Sequence, residues 1–307
     1  MDRKKNLFLA FDAFGTLFAP KRSIAAQYGE LARRHGLTGF TDEDVQFSFK
    51  KAFKEASKEH PNYGKAVGMK APAWWANVIT KTLKPFTAVD EPLPSQLIPE
   101  LLTRFSTQEG YSIYPDVLPF FARLRTAHLR PDHTKSNKWP YDRTIVGVIT
   151  NSDDRIPGIL SSFGLRVGPR RVGSGNASAS ADDDISFVVL SYDVGHEKPD
   201  RRVFDAARNL LREMLSDSPK SGDLDTAEDF NLMYVGDDLK KDVLGAEDAY
   251  WKALLIDRAG RYSNEFKDRG GDPTIEVLAD LENSSRYRGV TVIRDLNALV
   301  DVLRPRP

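Results

Sequence analysis

From residue 111 onward, short apolar runs alternate with amphipathic stretches, and this alternation restricts the fold more than any other property of the chain. The segments "TIVGVIT", "DISFVVLSY", "NLMYVGD" and "WKALLID" read as strands. Between and around them, "DVLPFFARLRTA", "RIPGILSSFG", "PDRRVFDAARNLLREML" and "LKKDVLGAEDA" have helical spacing, and "GVTVIRDLNALVDVL" adds a last short strand and helix. Such a sequence of elements implies right-handed crossovers and an α/β doubly wound parallel sheet of Rossmann-like type. An apolar run at residues 7–11, "LFLAF", supplies one more buried strand near the start.

After that first strand the pattern changes to helices alone, from about residue 22 to 110. "SIAAQYGELARRHG" has apolar spacing of three and four and stops at Gly36. "TDEDVQFSFKKAFKEASKEH" offers Thr41 as N-cap with acidic residues in its first turn, and it stops before Pro61. "APAWWANVITKTL" and "SQLIPELLTRFS" complete the block. The expected organisation is therefore an α/β core domain from 1–20 and 111–307, with a helical cap domain at 21–110 inserted over the carboxyl edge of the sheet. Three polar stretches, 130–142, 166–184 and 216–230, are expected as surface insertions, the second of low complexity and mobile.

The 307 residues include 44 basic and 44 acidic side chains, so no net field draws the molecule to nucleic acid or an anionic membrane. The lack of cysteine removes disulfides, thiolate metal sites and cysteine nucleophiles, and suits a reducing compartment. No apolar run approaches the roughly 20 residues that cross a bilayer. The start "MDRKKNLFLAF" is basic and then apolar, but its short apolar part contains Asp12, which favours a first strand over a secretion signal. An intracellular, cytoplasmic location is expected, with nuclear or mitochondrial placement left open.

In open parallel sheets the ligand crevice lies beyond the carboxyl ends of the strands. Four strand ends here carry polar residues. The first ends in Asp12. "TIVGVIT" ends in Thr150, followed by Asn151 and Ser152; the strand near 187–191 leads into a loop with Lys198; "NLMYVGDD" ends in Asp237 and Asp238, with Asp242 further on. Each alone suits a helix cap or a turn. Together they offer hard oxygen ligands, a hydroxyl, an amide and a lysine.

This set, in this order, resembles the haloacid dehalogenase-like hydrolase superfamily, mostly phosphatases with some dehalogenases. "FDAFGTLF", "VITNS", "HEKPDRRVF" and "YVGDDLKKDVLGA" match its four motifs, and "HPNYGKAVGMKAPAWWANVI" resembles the domain-containing protein 3 subgroup. The resemblance implies Asp12 as nucleophile and Lys198 as the charge-neutralising catalytic cation, with Thr150 and Asn151 binding the phosphoryl group. It implies Mg²⁺ held by Asp12, Asp237 and the backbone carbonyl of Phe14, with Asp242 and Asp238 behind them. A small phosphorylated or acyl phosphate-like metabolite would be the substrate.

One position departs from the pattern. The superfamily's phosphatases carry a second Asp two residues after the nucleophile, as general acid and base, and here that residue is Phe14. Loss of such help costs about 10²–10⁴ in rate, so the expectation is a weak or substrate-restricted phosphatase. The alternative is an inactive member that binds a metabolite or a protein partner. Dehalogenase chemistry also dispenses with that Asp, but Asp237, Asp238 and Asp242 beside Asp12 argue for a cation. Trp74 and Trp75, adjacent on a helix, cannot both face one way, so one is expected in the core. His196 is expected on an exposed loop.

Overall fold

The structure, a computed structural model, describes residues 6–88, 90–129, 139–175, 180, 182–217, 225–261 and 290–303. Residues 130–138, 176–179, 181 and 218–224, which make up much of the three expected insertions, lie outside the described residues. The chain divides into two compact units: Met1–Phe18, Tyr114–Asn151 and Leu165–Pro307 form one, and Ala19–Ile113 with Ser152–Gly164 form the other.

The strands are β1 (Asn6–Phe11), β2 (Phe18–Pro20), β3 (Tyr111–Ile113), β4 (Arg143–Thr150), β5 (Val167–Arg171), β6 (Ile185–Leu190), β7 (Phe230–Gly236), β8 (Lys252–Ile256) and β9 (Thr291–Ile293). Seven of them form one sheet in the order β5-β6-β4-β1-β7-β8-β9, and every pairing in it is parallel. The chain passes from β1 to β4 on one side and later returns to β7 on the other, so β1 lies at the switch point where such sheets bind ligands. Every residue of β1 is buried, and its register sets Phe11 opposite both Val148 and Val235. The Asp12 amide then donates to the Val235 carbonyl at 2.9 Å, so Asp12 leaves the strand at the level where β4 and β7 also end.

Helices α5 (Val117–Leu129), α7 (Ser191–Val194), α8 (Arg201–Asp217), α9 (Gly245–Asp248) and α10 (Leu296–Leu303) belong to the sheet unit. α8 buries Val203, Phe204, Ala207, Leu210 and Leu211, the stripe its sequence spacing predicts, in a core with Phe8, Phe187, Phe230 and Tyr234.

Two expectations in this unit are corrected. "LKKDVLGAEDA" is not one α-helix: Leu239–Leu244 is a π-helical turn, and only Gly245–Asp248 is α-helical. Asp238 starts the turn by accepting from the Lys240 and Lys241 amides at 3.0 and 2.9 Å, and the wider turn brings Asp242 back toward the strand end. Nor is 166–184 a surface loop throughout. Its first residues form the edge strand β5, where Arg170 is buried against Asp217 at 2.5 Å and Arg171 pairs with Asp193 at 2.9 Å.

The helical unit contains α1 (Ile24–Arg34), α2 (Asp42–Glu59), α3 (Ala71–Leu83), α4 (Leu97–Arg104) and α6 (Ile156–Ser162). Thr41 and Asp44 form a reciprocal capping box that starts α2. Ala52 and Ala56 of α2 pack on Trp74 and Val78 of α3. Trp74 is the core tryptophan, whereas Trp75 is half-buried and donates its indole N–H to Asp153 at 2.7 Å. The strand–helix alternation assigns Ser152–Gly164 to the α/β part, but the segment belongs to the helical unit. Arg155 secures it there by gripping Asp153 and donating to the Phe105 carbonyl.

Candidate active site at the carboxyl edge of the sheet

Asp12 is almost wholly buried at the end of β1, and Lys198 reaches it from the loop before α8. The Lys198 ammonium donates to Asp12 Oδ1, Asp242 Oδ1 and the Tyr234 hydroxyl, each at 2.7 Å, and lies 3.2 Å from the Ile149 carbonyl. Tyr234 in turn donates to that carbonyl at 2.7 Å. The lysine is therefore held in one direction by partners from β1, β4, β7 and the π-helical turn. Burial pulls its pKa down, but the charges of Asp12 and Asp242 outweigh this and hold the ammonium above its ordinary value.

Carboxylate oxygens of Asp12, Asp237 and Asp242 lie within 4.8 Å of one another. Burial raises the pKa of Asp242, opposed by Lys198 and reinforced by Asp12. Burial likewise raises Asp237, opposed by Arg261 and reinforced by Asp242. Two glycines make this convergence possible. Gly15, at φ +76°, would carry a Cβ 2.3 Å from Asp237 Oδ2, and a Cβ on Gly236 would lie 2.3 Å from the Asp242 carboxyl carbon. Three carboxylates against Lys198 and the more exposed Arg261 still leave an excess of negative charge on hard oxygen donors. That donor set suits a divalent cation, which carboxylates of Asp12, Asp237 and Asp242 could hold.

The other expected site residues have varied placements. Thr150 is buried at the end of β4. Asn151 uses its side chain on the lysine loop instead of leaving it open for a ligand: it accepts from the Lys198 amide at 2.7 Å and donates to the Lys198 carbonyl at 3.0 Å. Asp242 contacts Lys198 directly, and its second oxygen accepts from the Asp238 amide at 2.9 Å. The Asp238 side chain is a helix cap and does not join the carboxylate cluster. Phe14 lies in the turn after Asp12 with its ring 4.7 Å from that of Phe18, so no titratable group stands at this position. His196 is partly buried, with Nδ1 3.9 Å from Asp200.

Sequence reasoning missed three residues. Tyr234 is one. Arg258 is another: it donates from Nε to the Thr16 carbonyl at 2.8 Å, grips Asp116 with both terminal nitrogens at 2.8 and 3.1 Å, and stacks 4.0 Å over Tyr114. It thereby holds the turn that follows Asp12. The third is Arg261, whose Nη2 contacts Asp237 Oδ2 at 2.5 Å. The signal for both arginines is "DRAGR", a fifth polar strand end directly after β8.

Residues 8–249 match the protein family described as "Hydrolase: haloacid dehalogenase-like hydrolase". The uncharacterized hydrolase C7D4.05 of Schizosaccharomyces pombe is 29% identical over 266 residues, covering 87% of this chain and 97% of the relative. The haloacid dehalogenase-like hydrolase domain-containing protein 3 of Danio rerio is 25% identical, covering 82% and 85%. Among solved structures, the 2-haloacid dehalogenase from Pseudomonas syringae pv. Tomato DC3000 aligns with a TM-score of 0.51 at 20% identity, covering 97% of each chain. That last likeness is one of fold.

Proposed function

This chain belongs to the haloacid dehalogenase-like hydrolase family, and from that premise we propose that it is a metal-dependent phosphohydrolase restricted to substrates with good leaving groups. The observation that carries the reading is Asp12 in contact with Lys198 at 2.7 Å, beside Asp237 and Asp242. A lysine alone would suffice to orient a nucleophilic aspartate. The further carboxylates are explained by a cation, which a metal-free dehalogenation does not need.

A Mg²⁺ bound by Asp12 and Asp237 would neutralise phosphoryl charge and orient the substrate. The chain's own groups do the rest. A carboxylate oxygen of Asp12 attacks phosphorus, an oxygen–phosphorus bond to Asp12 forms, and the bond from phosphorus to the leaving oxygen breaks. Lys198, fixed by Asp242 and Tyr234, keeps Asp12 ionised and balances charge as it moves onto the phosphoryl oxygens. Water then attacks the phosphorus of the aspartyl phosphate, its protons leave with the inorganic phosphate, and the Asp12 carboxylate is restored. Phe14 gives no proton to the leaving oxygen, so an aryl oxide or a carboxylate departs as an anion whereas an alkoxide does not.

The test is a panel of acetyl phosphate, p-nitrophenyl phosphate and glycerol phosphate with and without Mg²⁺. Turnover of the first two, little of the third, and none in Asp12→Asn are expected. Activity that survives Asp12→Asn overturns the proposal. The same Phe14 supports a second reading, a binding protein without turnover, and that reading gains if the wild type hydrolyses none of the three.

A further inference from the structure

We propose that Arg261 is a resident counter-cation for Asp237, one that a divalent cation displaces and that therefore sets how tightly the cation binds; this rests on the metal site proposed above. The two basic residues of the cluster are held in opposite ways. Lys198 is buried and locked by three acceptors at 2.7 Å. The Arg261 side chain is 54% exposed, while its contacts with Asp237 run from one nitrogen, at 2.5 Å to Oδ2 and 3.1 Å to the backbone carbonyl. Its backbone, by contrast, is anchored: the Arg261 amide donates to Asp257 Oδ1 at 2.8 Å, and the buried Asp257 donates its own amide to the Ile293 carbonyl at 2.9 Å. The chain that carries the guanidinium is thus fixed independently of the contact with Asp237.

Charge gives the exchange its direction. Asp12, Asp237 and Asp242 against Lys198 leave two formal negative charges, and Arg261 offsets one of them. A divalent cation offsets both, but it needs lone pairs of the Asp237 carboxylate and is repelled by a guanidinium bonded to one of its oxygens. Arg261 thus opposes the cation twice, by occupying an acceptor and by its own charge. Both effects act through an exposed group, which keeps them modest.

The experiment is calorimetric titration of the full chain with Mg²⁺, and separately with Mn²⁺, at fixed ionic strength. Wild type, Arg261→Ala, Arg261→Lys and Asp237→Ala are compared. Arg261→Ala should bind with a Kd about two- to fivefold lower than wild type, the scale of an exposed ion pair given up. Arg261→Lys, which keeps the charge but loses the planar donor, should fall between them. An unchanged or higher Kd in Arg261→Ala, with binding lost in Asp237→Ala, overturns the role of Arg261 and leaves the metal site standing. Equal binding in Asp237→Ala and wild type removes the metal site and this inference with it.

Discussion

Arg155 in the helical unit and Lys198 in the sheet unit each bond a buried carboxylate, and the two clusters are built to opposite ends. In the helical unit, Arg155 grips Asp153 through two nitrogens at 2.8 Å, donates to the Phe105 carbonyl and stacks 4.4 Å over Trp75, whose indole completes Asp153. One positive charge meets one negative charge, and each fork is filled. In the sheet unit, Lys198 meets Asp12 and Asp242 together, with Asp237 close to both. Burial pulls both cations' pKa down, and in each case the neighbouring carboxylate charge more than restores it. Their perturbed ionisation therefore does not separate them. Charge balance does: a neutral, saturated pair fixes a fold, whereas unspent negative charge on converging oxygens is a place for a cation or an electrophile.

The widest separation of the two clusters should come from removing each cation. Arg155→Met strands Asp153 in the interior and should cost about 3–5 kcal/mol of stability, with no relief from Mg²⁺. Lys198→Met should cost a similar amount without divalent ion but regain part of it in Mg²⁺, because a bound cation replaces the lost charge. Urea unfolding with and without Mg²⁺ measures both, and equal Mg²⁺ relief in the two variants would erase the distinction. A smaller effect is expected from Tyr234→Phe, which removes one acceptor of Lys198 and one donor to Ile149. The stability loss should be about 1–3 kcal/mol, with kcat on p-nitrophenyl phosphate falling more than KM rises; a change in KM alone would deny Tyr234 its hold on the lysine.

How much of this was legible depended on whether its cause was local. The sheet was, because strands covered on both faces are apolar throughout and β1, β4 and β7 show it plainly. So were Asp12, Lys198, Asp237 and Asp242, since a parallel sheet brings its strand ends to one edge. β5 was hidden because "VGPRR" has little strand propensity and gains its place from pairing with β6 and from the buried Arg170. The role of Asn151 was hidden too, since its partner is the backbone of a residue 47 positions away. For Asp238 both a helix cap and a place behind the metal ligands were open in the sequence, and only the helix geometry shows that its side chain is the cap. Arg258 and Arg261 were overlooked for want of a partner nearby in sequence: Asp116 is 142 positions from the first and Asp237 is 24 from the second. The placement of Ser152–Gly164 with the helical unit follows from tertiary contacts of Arg155 and could not come from alternation alone.

The central claim is that Asp12 accepts a phosphoryl group with help from a cation held at Asp237. Beryllium trifluoride, a tetrahedral stand-in for a phosphoryl group on a carboxylate, tests it without knowledge of the substrate. Fluorine NMR of the wild-type protein with beryllofluoride and Mg²⁺ should show protein-bound resonances that are absent in Asp12→Asn and weakened in Asp237→Ala. No bound signal in the wild type, or one that survives in Asp12→Asn, would contradict the account.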